Sequence, residues 1–446
     1  MTTALGFTPN QQAAIDELSQ PLQLIACAGS GKTEVLAQRI ANILSQPGVR
    51  PANVIAFTFT EKAAAELKER VHRTVTAKLP GIVGLAEMYI GTMHGFCLDL
   101  LQTYIPETFK YGVLTDITQQ LLIDRETNKS GFNTAVKTVQ GVESSLRRYT
   151  DTRVLKGALS ILQEDAVDFG LVPPETTASL AKYKDFLADK RYFDYTSMMV
   201  EAVGFLERSQ TATILDTAEQ SLRDHVENDV KYVIVDEYQD VNPIQERLVA
   251  RLVHFGANLC VVGDDDQTIY QWRGSDVQNI LTFDDRYASV RAIRLEENFR
   301  SSKGIVELGR SVAERLDSVE RLPKKMIAAG HQTWERGDML TLQFENPSEE
   351  AQWIVERIVE LQGMPFTDRP GSEPRGLSWS DCAVLFRSVK DADDLVDELL
   401  VLDGTADTYV DHDLLEAGDL HDVREAQLGE ELAADLVVVD GLQAGD

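Results

Sequence analysis

The sequence predicts an α/β protein built on a mostly parallel sheet. Three observations predict it. Short apolar runs bounded by turn residues alternate with helical patterns along most of the chain. One run, LQLIA at 22–26, enters a glycine-rich turn that opens a helix. Another, VKYVIV at 230–235, delivers two carboxylates, Asp236 and Glu237, to its C-terminal end. Alternating strands and helices give parallel sheets wrapped by helices, and such sheets place ligands beyond the strand C-termini.

In chain order, strands are expected at Leu22–Ala26, Val54–Phe59, Val230–Val235, Leu259–Gly263, Arg291–Leu295, Leu340–Phe344 and Cys382–Phe386. Helices are expected at Lys32–Leu44, Thr60–Lys78, Pro243–His254, Ser301–Leu316 and Glu349–Leu361. In the last, Ala351, Ile354, Val355, Ile358 and Leu361 recur at helical spacing. The 446 residues suffice for about two to four domains. Residues 1–95 and 221–276 read as one α/β domain, and 96–220 as a mostly helical insertion within it. A second, partial α/β domain is expected from near Val277 to about 400. Residues 401–446 are acid-rich with Arg424 as the one basic residue, and read as a solvated tail containing one strand-like run, VVVD.

The formal net charge is −29. Phosphate binding needs local positive charge, so bulk charge alone argues against a nucleic-acid partner. Net charge governs solubility and non-specific association, however, and leaves room for a basic groove on an acidic body. Cys27, Cys97, Cys260 and Cys382 form no C-x-x-C pair, which excludes the usual zinc and iron–sulfur patterns. Few, scattered cysteines suit a reducing compartment. No run reaches membrane-spanning length, and a cytoplasmic location without membrane partners is expected.

The turn after the first strand reads ACAGSGKT, a phosphate-binding loop. Ala28, Gly29, Ser30 and Gly31 bring backbone amides to the β- and γ-phosphates of a nucleotide, helped by the helix N-terminus. Lys32 reaches the β/γ oxygens, and Thr33 is a ligand for Mg²⁺. Ala26 stands where the general pattern has its first glycine. Cys27 is either a small filler or a thiol that brakes ATP binding, the latter requiring a lowered pKa. In VKYVIVDEYQD, Asp236 is the second candidate Mg²⁺ ligand, and Glu237 the base that deprotonates an attacking water.

AGSGKT, FTFTEKAAAELKER, GTMHGF, DEYQDVNPIQ, VVGDDDQTIYQWRGSD and LEENFRSS follow one another in that order. In this order and spacing the chain resembles the superfamily 1 DNA helicases of the UvrD/Rep/PcrA type, from about Phe7 to about Leu400. The resemblance implies RecA-like P-loop domains, ATP and Mg²⁺ as cofactors, and translocation along single-stranded DNA, 3′-to-5′, in repair or recombination. Single-strand/duplex junctions and repair or recombination proteins are the implied partners. In FTPNQQAAI, Gln11 matches an amide that reads adenine. Arg39 matches a residue lying against the nucleotide, although a solvated helical arginine would read the same. Gln267 resembles a γ-phosphate sensor. Arg300 resembles an arginine that stabilises the charge of the transition state.

On the DNA side, Phe59, His94, Tyr270 and Trp272 are the stacking candidates. Thr58, Lys62, Thr92 and Arg273 are the phosphate-backbone candidates. Phe59 and Tyr270 would equally serve as core aromatics. Segment 261–276 passes from Gln267 to Trp272 within a few residues, so it is a candidate link between phosphate state and base stacking. Two further family signatures are not found, one touching DNA and one carrying a second arginine. The chain therefore reads as a helicase whose C-terminal part is lost, replaced or frame-shifted. Loss of such an arginine costs roughly 10³–10⁵-fold in turnover. The alternative is an ATP- and DNA-binding module with little motor activity unless a partner completes it.

Overall fold

The computed structural model describes residues 6–139, 142–165, 167–211, 215–269, 274–316, 321–330, 332–368, 372–386, 388–403 and 437–440. Its centre is a sheet of β1 (Leu22–Ala26), β2 (Val54–Phe57), β3 (Tyr89–Gly91), β4 (Tyr232–Val235), β5 (Asn258–Gly263) and β6 (Arg291–Leu295). The spatial order is β6-β1-β5-β4-β2-β3, and every pairing is parallel. The fold is the expected P-loop α/β type.

Successive side chains of β2, β4 and β5 enter opposite cores, as the pleat requires. Val54 and Ala56 of β2 face one core, with Ile40 and Ile43 of helix Lys32–Leu44 and Leu67 and Val71 of helix Glu61–Lys78. Ile55 and Phe57 face the other, with helices Met93–Tyr104, Tyr195–Thr211, Thr217–Asp229 and Pro243–His254. Both faces are covered, so β1 and β2 are buried at every position. Each buried Leu or Ile contributes about 1.5–3 kcal/mol.

Three boundaries differ from expectation. Arg291–Leu295 pairs with β1 residue for residue, Leu22 opposite Arg291, so the chain stays in the first sheet well past Val277. The helical insertion also begins later and ends earlier than 96–220. Helices Met93–Tyr104 and Tyr195–Thr211 belong to the core under the sheet. A separate core is built by Leu114, Ile123, Phe132, Leu155, Leu159, Tyr183 and Leu187. Finally, Leu340–Phe344 is no strand; it runs as irregular chain with Leu340 and Leu342 exposed, and no strand among the described residues pairs with it.

The chain divides into two compact units, Met1–Ser301 with Val306–Ala329, and Ser302–Ile305 with Gly330–Asp446. In the second, helices Pro347–Leu361 and Asp393–Asp403 share a small core of Ala351, Val355 and Leu395, with Val384 and Phe386 against it. Strand Ala383–Phe386 pairs in parallel with Val437–Asp440. That run, placed by the sequence in a solvated tail, is a strand; residues 404–436 and 441–446 lie outside the described residues.

The edge strand β6 is fastened at its start. Arg291 Nη1 meets Glu17 Oε2 at 2.5 Å. Glu17 also accepts from the Ser19 amide and hydroxyl at 2.9 and 2.6 Å. The Ser19 hydroxyl, then Arg291, hold the Glu17 carboxyl at about 2, below its ordinary 4.5. The unfolded chain thus binds the proton more readily, and the stabilisation is full above pH 4.5 and is lost as pH falls through about 2. Glu17→Gln is expected to be less stable than wild type at pH 7. The difference should shrink steadily below pH 4.5 in denaturant melts recorded across pH; a pH-independent difference would mean that packing, not charge, is at work.

Candidate nucleotide and nucleic-acid site

Parallel strands bring the quoted motifs to one edge. The phosphate loop follows β1, Thr58 follows β2, Thr92 follows β3, Asp236 follows β4, and Asp264 follows β5. Glu296–Arg300 follows β6.

The loop is shaped by two glycines with left-handed backbone, Gly29 at φ +68° and Gly31 at +81°. Gly31 precedes helix Lys32–Leu44 without any side-chain cap. Asn298 Nδ2 donates to Ala28 O at 2.8 Å, the Phe299 amide to Gly29 O at 2.9 Å, and Gln11 Nε2 to Ser30 O at 3.0 Å. These clamps hold the loop's carbonyls. The amides of Gly31, Lys32 and Thr33 are first-turn donors with no intrahelical acceptor, the arrangement that suits an anion. Ser30 Oγ is buried and without a hydrogen-bond partner, a further polar group awaiting one. Cys27 is buried, and desolvation pushes its thiol up to about 12. It is an inert filler, and the thiol-brake reading falls.

Lys32 Nζ lies 3.1 and 3.0 Å from the two carboxylate oxygens of Glu237. Glu237 has φ +50°, a conformation non-glycine residues rarely adopt, and such strain gathers at working sites. Gln239 is buried and bridges: its Nε2 donates to Glu237 Oε2 at 2.9 Å, and its Oε1 accepts the Asp264 amide at 3.0 Å. Burial, and then the Glu237 charge, push Asp236 up to about 6, with Lys32 opposing. Burial and Glu237 push Asp240 up to about 7. Crowded carboxylates of this kind are relieved by a divalent cation. Among the described residues no cluster of three or more His, Cys, Asp or Glu could hold a metal alone. Asp236, with Thr33 in the first turn of helix Lys32–Leu44, would suit Mg²⁺, which keeps waters and takes phosphate oxygens.

Gln11 lines a hollow of about 270 Å³ with Pro9, Asn10, Glu296 and Phe299. Its amide also completes a capping box with Thr8. Arg39 does not join the hollow. It is 1% exposed, and its Nη1 donates to Ala14 O at 2.8 Å and to Glu17 O. It holds the end of helix Pro9–Asp16, because the helix carrying it turns that face to the core. Gln267 Nε2 donates to Asp264 Oδ2 at 2.6 Å. Arg300 is exposed, yet its Cβ would sit 2.8 Å from a Cβ added to Gly29.

A second groove, about 470 Å³, is lined by Asp236, Glu237 and Asp240 together with Phe59, His94 and Tyr195. Thr58 and Thr92 line it too. Their hydroxyls are engaged: Thr58 donates to Thr60 O at 3.1 Å, and Thr92 donates to Glu61 Oε1 at 3.0 Å. His94 packs edge-on against Tyr195, centroids 5.6 Å apart, and burial lowers its pKa. Lys62 is exposed in the first turn of Glu61–Lys78 and is not part of the lining. Tyr270, Trp272 and Arg273 lie outside the described residues. Just beyond them Ser275 lines the groove and donates to Asp240 O at 2.9 Å.

Sequence reasoning missed Gln239, Asn298, Phe299 and Tyr195. The first three sit inside quoted motifs, where only the charged neighbours drew a role. Tyr195 opens helix Tyr195–Thr211, in a stretch that carries no recognisable signature. Gly29→Ala is expected to lose nucleotide binding at least about tenfold and to cost about 1–3 kcal/mol in stability, the range for a strained non-glycine backbone. The added Cβ would stand 2.7 Å from Asn298 Nδ2. Calorimetric titration with ADP checks it; unchanged affinity in a folded protein would remove the loop from the nucleotide site.

Comparison with known proteins agrees with this geometry. Residues 7–288 match the UvrD/REP helicase N-terminal domain. Residues 293–422 match the UvrD-like helicase C-terminal domain, which carries the likeness past Leu400. The ATP-dependent DNA helicase PcrA of Staphylococcus epidermidis is 32% identical over 396 residues, covering 86% of this chain and 48% of the relative. PcrA of Staphylococcus aureus is 32% identical over 382 residues, covering 85% and 47%. The chain spans about half the length of the curated relatives it matches. No helix among the described residues is long and apolar enough to cross a membrane. On the matched domains and the PcrA relatives, this chain belongs to the UvrD/Rep family of helicases.

Proposed function

We propose that the chain is an ATP-driven motor on single-stranded DNA, moving 3′-to-5′, and serving DNA repair or recombination in the cytoplasm. One observation carries the reading: a single groove joins the Asp236/Glu237 carboxylates to the Phe59, His94 and Tyr195 rings. Hydrolysis and base stacking then share one groove. The named PcrA relatives support ATP dependence and DNA as the track.

The chemistry assigned to this chain starts from the Lys32–Glu237 ion pair. Nucleotide phosphates draw Lys32 away. Glu237, released, accepts the proton of the attacking water. Thr33 and Asp236 hold Mg²⁺, which neutralises phosphate charge when bound. Gln267 touches the γ-phosphate, and Arg300 stabilises charge on the transferred group. Gln239 passes the state of Glu237 to Asp264, and Ser275 ties the DNA-side loop to Asp240.

The test is ATP hydrolysis by the purified chain, with and without a single-stranded oligonucleotide, across a salt series. Strong stimulation that weakens with salt is expected, with Glu237→Gln binding ATP but not splitting it. Normal turnover by Glu237→Gln would reassign the base. Intact nucleotide binding with no turnover would favour the second reading, a binding module that works with a partner.

A further inference from the structure

The turn after β5 carries three consecutive carboxylates, Asp264, Asp265 and Asp266, directly before Gln267. Three acids beside a triphosphate site should repel the ligand. The fold answers with two cations from residues 321–325. Lys324, its side chain wholly buried, places Nζ 2.6 Å from Asp264 Oδ1, against Asp265 Oδ1, and 3.3 Å from Asp266 Oδ2. Arg321 grips Asp266 with both arms, Nε–Oδ1 at 2.6 Å and Nη2–Oδ2 at 3.0 Å. The Leu322 amide donates to Asp265 Oδ2 at 2.7 Å.

Asp264 is the pivot. Its Oδ1 takes Lys324, and its Oδ2 takes the Gln267 amide at 2.6 Å. The same short segment continues into Ile327–Ala328, paired with Glu297–Asn298, and Asn298 clamps the phosphate loop through Ala28 O. The Ile327 amide donates to Glu296 O at 2.8 Å. One strap therefore joins the Gln267 turn to the loop clamp. A buried ion cluster is a poor source of net stability, whereas it fixes geometry well. Burial works against the Lys324 charge, and Asp264 and Asp265 more than offset it, so its pKa is raised.

We propose that Lys324 and Arg321 are positioning residues that neutralise the 264–266 acids and set Gln267 for the γ-phosphate, making the site prefer a nucleoside triphosphate over a diphosphate. The inference rests on the sensor reading of Gln267.

The experiment measures Mg²⁺-ATPγS and Mg²⁺-ADP affinities by calorimetry for wild type, Gln267→Ala, Lys324→Met, Arg321→Gln, Lys324→Arg and the double variant Gln267→Ala/Lys324→Met. Lys324→Met and Gln267→Ala should each cut the ATPγS-over-ADP ratio by roughly tenfold, the worth of one charge-assisted hydrogen bond. ADP affinity should stay near wild type. The double variant should lose no more than either single one, and Lys324→Arg should recover most of the ratio. Should Lys324→Met fail to fold, Arg321→Gln, at the strap's more exposed end, carries the test with a smaller loss. A ratio lost in Gln267→Ala but kept in both strap variants overturns this inference alone. An equal loss for both nucleotides in the strap variants also overturns it. A ratio kept in Gln267→Ala overturns the sensor reading and the inference together.

Discussion

The structure depends on one constraint, the parallel direction of its central sheet. Parallel neighbours need a crossover between them, and every crossover leaves from the same edge. Six strands run this way here, so their C-terminal loops converge. Residues as distant as Lys32, Glu237, Gln267 and Arg300 share one rim for that reason. The sheet must be covered on both faces, and one covering helix, Tyr195–Thr211, brings Tyr195 to the groove.

Electrostatics at the rim are local and set against the bulk. The chain carries −29 overall, yet its carboxylates at the rim are paired one by one. Lys32 meets Glu237, Arg321 meets Asp266, and Lys324 meets all three acids of the turn. The exceptions are Asp236 and Asp240, which burial and Glu237 drive toward the protonated form. Lysine and arginine thus balance most of the acids at this rim.

Neutral amides do the connecting. Gln239 touches Glu237 and the Asp264 amide, and Asn298 holds Ala28 O while accepting the Arg300 and Ser301 amides at 2.9 and 2.7 Å. Gly263 lets Gln239 approach: a Cβ there would stand 2.6 Å from Gln239 Oε1. Buried amides can donate and accept at once, so they link loops without adding charge.

The sequence by itself determined the α/β class, the phosphate loop, the carboxylates after β4 and the family. Each is written locally, as a strand, a turn and two or three side chains whose order in the chain is their order in the site. The tertiary structure decided what depends on residues far apart. Arg39 went under a helix rather than to the nucleotide, because the amphipathic face of Lys32–Leu44 points it at Ala14 O. Arg291–Leu295 joined the first sheet, because β1 offered it a free edge in register. Leu340–Phe344 found no such edge and stayed irregular. The buried Lys324 looks in sequence like one more surface lysine; only folding brings three acids from residues 264–266 around it.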